Sequence, residues 1–352
     1  VKKTRSSAVY TQSSKMSTPP CSPKRGPIPF GDTNLVPSPE QRKEEHADLI
    51  SALPSASVPE GLRKLRRYQG FWLPELFVPA AINLQQRFEP RCDDVIVASF
   101  PKCGTTWLNA LTFATMARAA YPPAGDDHPL LRLNPHQCLP FLESLFQGGR
   151  EAELEALPSP RLMNTHMPLP MVPGAVPGCR VVYICRDPKD MVVSLWHFFR
   201  HLRPDLPFNS VFESTCDGAM SFGPVWDHVL GYWRAAIARP DKVLFLRYEE
   251  LLRDPAGHVR RLAGFLGMPF SEAEEEAGTV DSIVQLCSFG HLKGLEANKI
   301  GRLDPLLPIP RDALFRNGAS GDWVNHMTPE MASRLDDIVA EKILGTGFTF
   351  NL

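Results

Sequence analysis

The chain has 352 residues and a formal net charge of −1, enough for one large or two modest domains, and nothing in its overall charge favours nucleic acid or a membrane surface as partner. Its eight cysteines include no Cys-x-x-Cys pair and no regular spacing, which argues against a zinc ribbon or a disulfide scaffold and fits a reducing compartment. No apolar run approaches the roughly 18 to 20 residues of a membrane helix.

The first stretch alternates Ser, Pro, Lys and Arg through Pro19, Pro20, Pro23, Pro27 and Pro29. Such a composition buries little apolar surface, so residues 1–60 are expected to be a disordered tail and 61–352 a single folded domain. The chain starts at Val1 and its first methionine is Met16, which leaves its true beginning open. A basic, Ser-rich leader could be a transit peptide, against which Asp32, Glu40, Glu44 and Glu45 weigh. Tyr68 to Pro74 then reads as an entry segment ahead of the core.

Asp94 to Ser99 is a β-branched run suited to a strand covered on both faces, broken by Pro101 and Gly104. Trp107, Leu108, Leu111 and Thr115 follow at helical spacing. A strand that turns sharply into a helix aims backbone N–H groups and the positive helix end at one point, where a phosphate can sit. Lys102 adds a charge there, and Thr105 and Thr106 add hydroxyls. The lysine precedes the only glycine, unlike the Gly-x-x-x-x-Gly-Lys-Ser/Thr order of an ATP-binding P-loop. The plain alternative is an ordinary strand-to-helix turn.

Further strands are expected at Arg161 to Thr165, Arg180 to Cys185 and Lys242 to Leu246, alternating with helices. That pattern predicts an α/β fold: a single domain with a central, mainly parallel β-sheet flanked by helices and a P-loop-like nucleotide-binding core, with ligands at the carboxyl ends of the strands. After Cys185, Arg186 ends a strand, Asp187 can cap a helix and Pro188 can open it. Met191, Val192, Leu195 and Phe198 form its buried stripe, turning Ser194 toward the side of Asp187 and Asp190. Arg186 either binds an anion or pairs with Asp187 or Asp190. Near the end, Phe315 to Asn325 reads as a Gly-rich loop with a basic residue, Arg316.

The string Ser-Phe-Pro-Lys-Cys-Gly-Thr-Thr-Trp, residues 99–107, resembles the phosphosulfate loop of the cytosolic sulfotransferases, enzymes that use 3′-phosphoadenosine 5′-phosphosulfate (PAPS). The resemblance covers roughly residues 65–350, and the leader and the details of the loop look like soluble plant members. It implies cofactor contacts from Lys102, Cys103, Gly104, Thr105, Thr106 and Trp107, and a 3′-phosphate clamp from Arg186, Ser194, Arg316 and Gly318. Asn317 stands where the family usually has lysine, so one positive charge is missing and weaker binding is expected. Tyr248 and Phe289 resemble the residues that meet the adenine, with Trp107 on the opposite ring face.

Of ten histidines, His166 resembles the family's catalytic base. Asn164 is assigned no role, and His197 and His201 are read as surface or packing residues. Cys103, at a helix start, is expected to be oxidation-sensitive rather than a nucleophile. The implied reaction is in-line sulfuryl transfer from PAPS to a hydroxyl of a small molecule such as a flavonoid or steroid. His166 takes the proton, Lys102 stabilises the leaving oxygen, no metal is required, and the enzyme works in the cytoplasm. A non-catalytic PAPS-binding homologue and a P-loop nucleotide kinase are the competing readings. The acceptor pocket is expected from segments near 68–85, 130–157 and 290–313. The family's short dimer motif reads Val324 to Pro329 here without its lysine and valine, which makes that dimer doubtful and leaves the oligomeric state open.

Overall fold

A computed structural model describes residues 26–33, 46–57, 64–172, 179–304 and 307–350. Strands β1 (Ser55–Ser57), β2 (Lys64–Tyr68) and β3 (Phe71–Pro74) form a small antiparallel sheet; β4 (Val95–Ser99), β5 (Leu162–Thr165), β6 (Arg180–Cys185) and β7 (Val243–Arg247) form the central one. The central order is β5-β4-β6-β7, parallel throughout, with Val97 level with Asn164 and Val182. Helices α1 (Val78–Arg87), α2 (Thr105–Ala117), α3 (Pro135–Cys138), α4 (Leu142–Gln147), α5 (Pro188–Arg200) and α6 (Val225–Ala238) are those that shape the site.

Side chains alternate across the sheet with period two, and each face has its own apolar cluster. Ile96, Ala98, Met163, Tyr183 and Phe245 face one cluster; Val95, Val97, Leu162, Val182 and Leu244 face the other. The expected strands are present, but Asp94, Arg161 and Lys242 fall just before them. Asp94 and Arg161 form a fully buried bidentate pair at 2.6 and 2.9 Å, which ties β4 to β5 at the end of the sheet remote from the site.

The entry segment is a hairpin whose turn carries positive φ at Gln69 (48°) and Gly70 (89°), the geometry that matches strand twist. The expectation of a disordered tail needs correcting for residues 26–33 and 46–57. Pro27 and Pro29 are buried, Phe30–Asp32 makes a 3₁₀ turn, Ala47–Ala52 is helical and Ser55–Ser57 pairs with β2. Prolines that oppose helix and strand still pack well when their fixed φ suits an extended contact. The rest of the expected tail lies outside the described residues.

Candidate active site

At the carboxyl ends of β4, β5 and β6 lies a cavity of about 670 Å³. Its floor is the loop between β4 and α2, where Lys102 holds φ of 67° and Gly104 φ of 106°. A Cβ on Gly104 would stand 2.8 Å from the Tyr248 ring, so the close approach of the loop to that ring requires glycine. Thr105 is buried with its hydroxyl 2.6 Å from Ser99 Oγ, and Thr106 Oγ1 lies 2.9 Å from His136 Nε2. Lys102 Nζ stands 4.1 Å over the Phe198 ring. Burial, then the charges of Arg186 and Arg316, lower its ammonium to about 7. Among the described residues no carboxylate pairs with it. Three cations converging on one cavity fit an anionic ligand.

Arg186 packs its guanidinium 4.5 Å over Tyr248 and donates from Nη2 to the Ala319 carbonyl at 2.7 Å, while its buried Nε has no partner among the described residues. Asp190 Oδ2 is 3.6 Å from Arg186, yet it also accepts from Ser320 Oγ and Gly321 N–H, and Oδ1 accepts from Trp323 N–H. The ion pair expected for Arg186 is thus present but shared. Asp190 fastens the Gly-rich loop to the start of α5, and Arg186 keeps a free donor. Arg316 pairs with Asp322, whose carboxyl is held down to about 2 by that bond. Gly318 has φ of 71°, and a Cβ there would meet the Phe289 ring at 2.4 Å. Ser194, Arg316, Asn317, Trp107, Tyr248 and Phe289 all line the same cavity. Trp107 and Tyr248 make an edge contact at 5.8 Å.

Across the cavity, His166 Nδ1 lies 2.9 Å from the Ser99 carbonyl oxygen. A carbonyl only accepts, so Nδ1 carries the proton and Nε2 keeps its lone pair. Burial, against the Ser99 bond, lowers the imidazole to about 4. Its backbone is fixed from two sides. His166 N–H donates to Glu143 Oε1 at 2.6 Å, and its carbonyl accepts from His228 Nε2 at 3.0 Å. His228 Nδ1 in turn accepts from the Tyr183 hydroxyl at 2.9 Å, and Tyr232 donates to the Met167 carbonyl at 2.8 Å. Glu143 is fully buried, its Oε2 has no partner among the described residues, and burial raises it to about 8.

Every sequence-predicted site residue but one lines the cavity. Cys103 is the correction: its side chain is fully buried in the core, and burial pushes the thiol up to about 12, the reverse of the expected oxidation-sensitive thiol. Asn164 donates to the Leu139 carbonyl at 3.2 Å, a structural bond. His136, Glu143, His228 and Phe30 were not singled out in the sequence. His228 sits among Trp226, Val229 and Leu230, a polar residue on an apolar helix face, which is the one signal that could have marked it.

The sulfotransferase domain family matches residues 92–347. The chain belongs to that family. Cytosolic sulfotransferase 5 of Arabidopsis thaliana is 44% identical over 88% of this chain and 98% of its own length. The flavonol 4′-sulfotransferase of Flaveria chlorifolia is 40% identical over 86% and 96%. A mouse sulfotransferase crystallised with PAP is 28% identical with a TM-score of 0.61, covering 79% of this chain and 94% of that one. The parallel sheet with its flanking helices is the sulfotransferase fold, PAPS is the co-substrate, and the kinase reading falls away.

Proposed function

We propose that this sulfotransferase moves the sulfuryl group of PAPS in line to a hydroxyl of a small plant metabolite, a flavonoid, steroid or similar compound, with His166 as base. The observation that carries the reading is the pairing, in one cavity, of a neutral imidazole whose Nε2 is unprotonated with a loop lysine among two arginines. His166 Nε2 takes the acceptor proton as the new O–S bond forms. The bond from sulfur to the phosphate oxygen breaks, and Lys102 stabilises the charge left on adenosine 3′,5′-bisphosphate. Thr105, Thr106 and the N–H groups of residues 103–107 would hold the 5′ end, Arg186, Ser194, Arg316, Asn317 and Gly318 the 3′-phosphate, and Trp107, Tyr248 and Phe289 the base. Holding both reactants at one point supplies much of the rate.

The names of the relatives support a cytosolic enzyme and, in one case, a flavonol acceptor. A sulfuryl group carries less negative charge than the phosphates of ATP, so transfer is expected to proceed with a chelator present. All three segments expected to form the acceptor pocket contribute to the cavity lining, through Phe77, Phe141 and Ile309 among others, which supports that reading. Calorimetry with adenosine 3′,5′-bisphosphate tests the site: the intact chain binds, and Lys102→Ala and Arg186→Ala bind at least ~10-fold more weakly. Absence of binding by the folded chain would refute the reading.

A further inference from the structure

Part of the cavity lining, Phe30, Gly31 and Thr33, comes from a segment ahead of the matched family domain, which starts at residue 92. Residues 26–33 are docked at several points. Gly26 lies so close to the end of α2 that a Cβ would be 2.6 Å from the Met116 carbonyl oxygen. Pro27 and Pro29 are buried, and Asp32 takes both Arg132 Nη groups at 2.5 Å. Gly31 lies against α3, where its Cβ would sit 3.2 Å from the Gln137 carbonyl oxygen. The residue beside Gln137 is His136, the partner of Thr106 in the loop below.

These contacts fix Phe30, which lines the cavity. Its side is decided by the two faces of the sheet. Phe30 packs on the cluster that holds Phe77, Phe141 and Phe222, whereas Trp107, Tyr248 and Phe289 belong to the other. Phe141 and Phe222 stand 5.5 and 5.7 Å from the His166 ring, and Phe77 is 6.1 Å from each of them. Phe30 thus packs on the cluster that carries Phe141 and Phe222, although the backbone beside it rests on Met116 and Leu133 of the other cluster.

We propose that Phe30 is an acceptor-specificity residue: held by the docked segment 26–33, it extends the aromatic wall beyond Phe141 and selects polycyclic planar phenols over single-ring ones. This rests on the acceptor site proposed above. A single ring held near His166 is already surrounded by Phe141 and Phe222. Only a longer acceptor gains from a further ring at the rim, through burial and edge or stacked contacts. Asp32 acts at one remove, as the anchor.

The test uses the full chain with kaempferol as a three-ring flavonol and 4-nitrophenol as a single-ring phenol. Phe30→Ala should raise the kaempferol KM ~10-fold, as loss of one buried ring contact would. The 4-nitrophenol KM and the adenosine 3′,5′-bisphosphate Kd should both stay within about twofold. Asp32→Ala should shift the same ratio less, and Phe30→Tyr, which keeps the ring, should restore it. Unchanged nucleotide affinity in each variant shows that it is folded. Equal changes for the two phenols, or none, would overturn the assignment. So would failure of the intact protein with bound nucleotide to bind kaempferol, which leaves sulfuryl transfer itself standing. Failure to bind the nucleotide would instead sink the site reading on which the assignment rests.

Discussion

His166 Nδ1 lies 2.9 Å from the Ser99 carbonyl oxygen, and Ser99 is also the residue whose hydroxyl meets Thr105 in the loop. The last residue of β4 thus sets the tautomer of His166, the proposed base, and braces the loop proposed to hold the anion. A small shift of β4 against β5 would disturb both reactants at once, which suits a reaction that depends on positioning.

Replacing the base tests that arrangement. His166→Ala should lower kcat by ~10²- to 10⁴-fold, the range for a positioned general base, while nucleotide affinity holds. Burial lowers the imidazole to about 4, so the base is lost only as pH falls through that region. The acid limb of kcat/KM should lie well below 6.5, and a limb at 6.5 or above, traced from pH 4 to 8, would count against His166.

Lys102 gives a prediction of opposite sign. In the free protein its ammonium is lowered to about 7 by burial and by Arg186 and Arg316. A bound dianion favours the charged form and raises it again. At pH 8 binding of adenosine 3′,5′-bisphosphate should therefore take up a proton, and affinity should fall as pH rises above 7. Calorimetry in buffers of different ionisation enthalpy measures the uptake, which should vanish in Lys102→Ala. Binding heats independent of buffer would refute it.

The strands, the loop and the place of His166 at the cavity were legible because each is local: a β-branched run, a turn that needs glycine, a histidine just past a strand. What surrounds them was not. His136 meets Thr106 from 30 residues away, and His228 meets His166 from 62. Such pairs exist only once the sheet is assembled. Phe30 was hidden for another reason. Proline-rich composition was read as disorder, whereas Pro27 and Pro29 are buried and carry Phe30 into the cavity wall. Arg186 had two local readings, and local sequence could not weigh them, because Asp190 is occupied mainly by the backbone of the distant 319–323 loop.

Gly318 tests the nucleotide slot without touching a charge. A Cβ there would enter the Phe289 ring at 2.4 Å from a backbone with φ of 71°. Gly318→Ala should displace the ring or the loop and weaken nucleotide binding by ~10-fold, a cost within the range for a forced left-handed residue. Thermal stability should fall by a few degrees as well, because the same strain is present in the free protein. Wild-type nucleotide affinity in this variant would show that Phe289 does not close on the base.

Glu143 supplies the last test, through stability. Burial raises its carboxyl from the ordinary 4.5 to about 8, and Oε1 accepts from His166 N–H and the Thr165 hydroxyl. The folded state thus holds a proton that the unfolded chain releases near 4.5. Stability from this group is complete below that pH and is lost as pH rises through about 8. Gln copies the neutral acid: its carbonyl can accept both bonds, and it does not ionise. Melting temperatures of the intact protein and Glu143→Gln should therefore diverge by several degrees between pH 5 and 9, with the intact protein losing ground at the alkaline end. A constant difference across that range would mean that the carboxyl is already ionised beneath His166. The imidazole would then sit above a fixed negative charge, and its acid limb should move up with it.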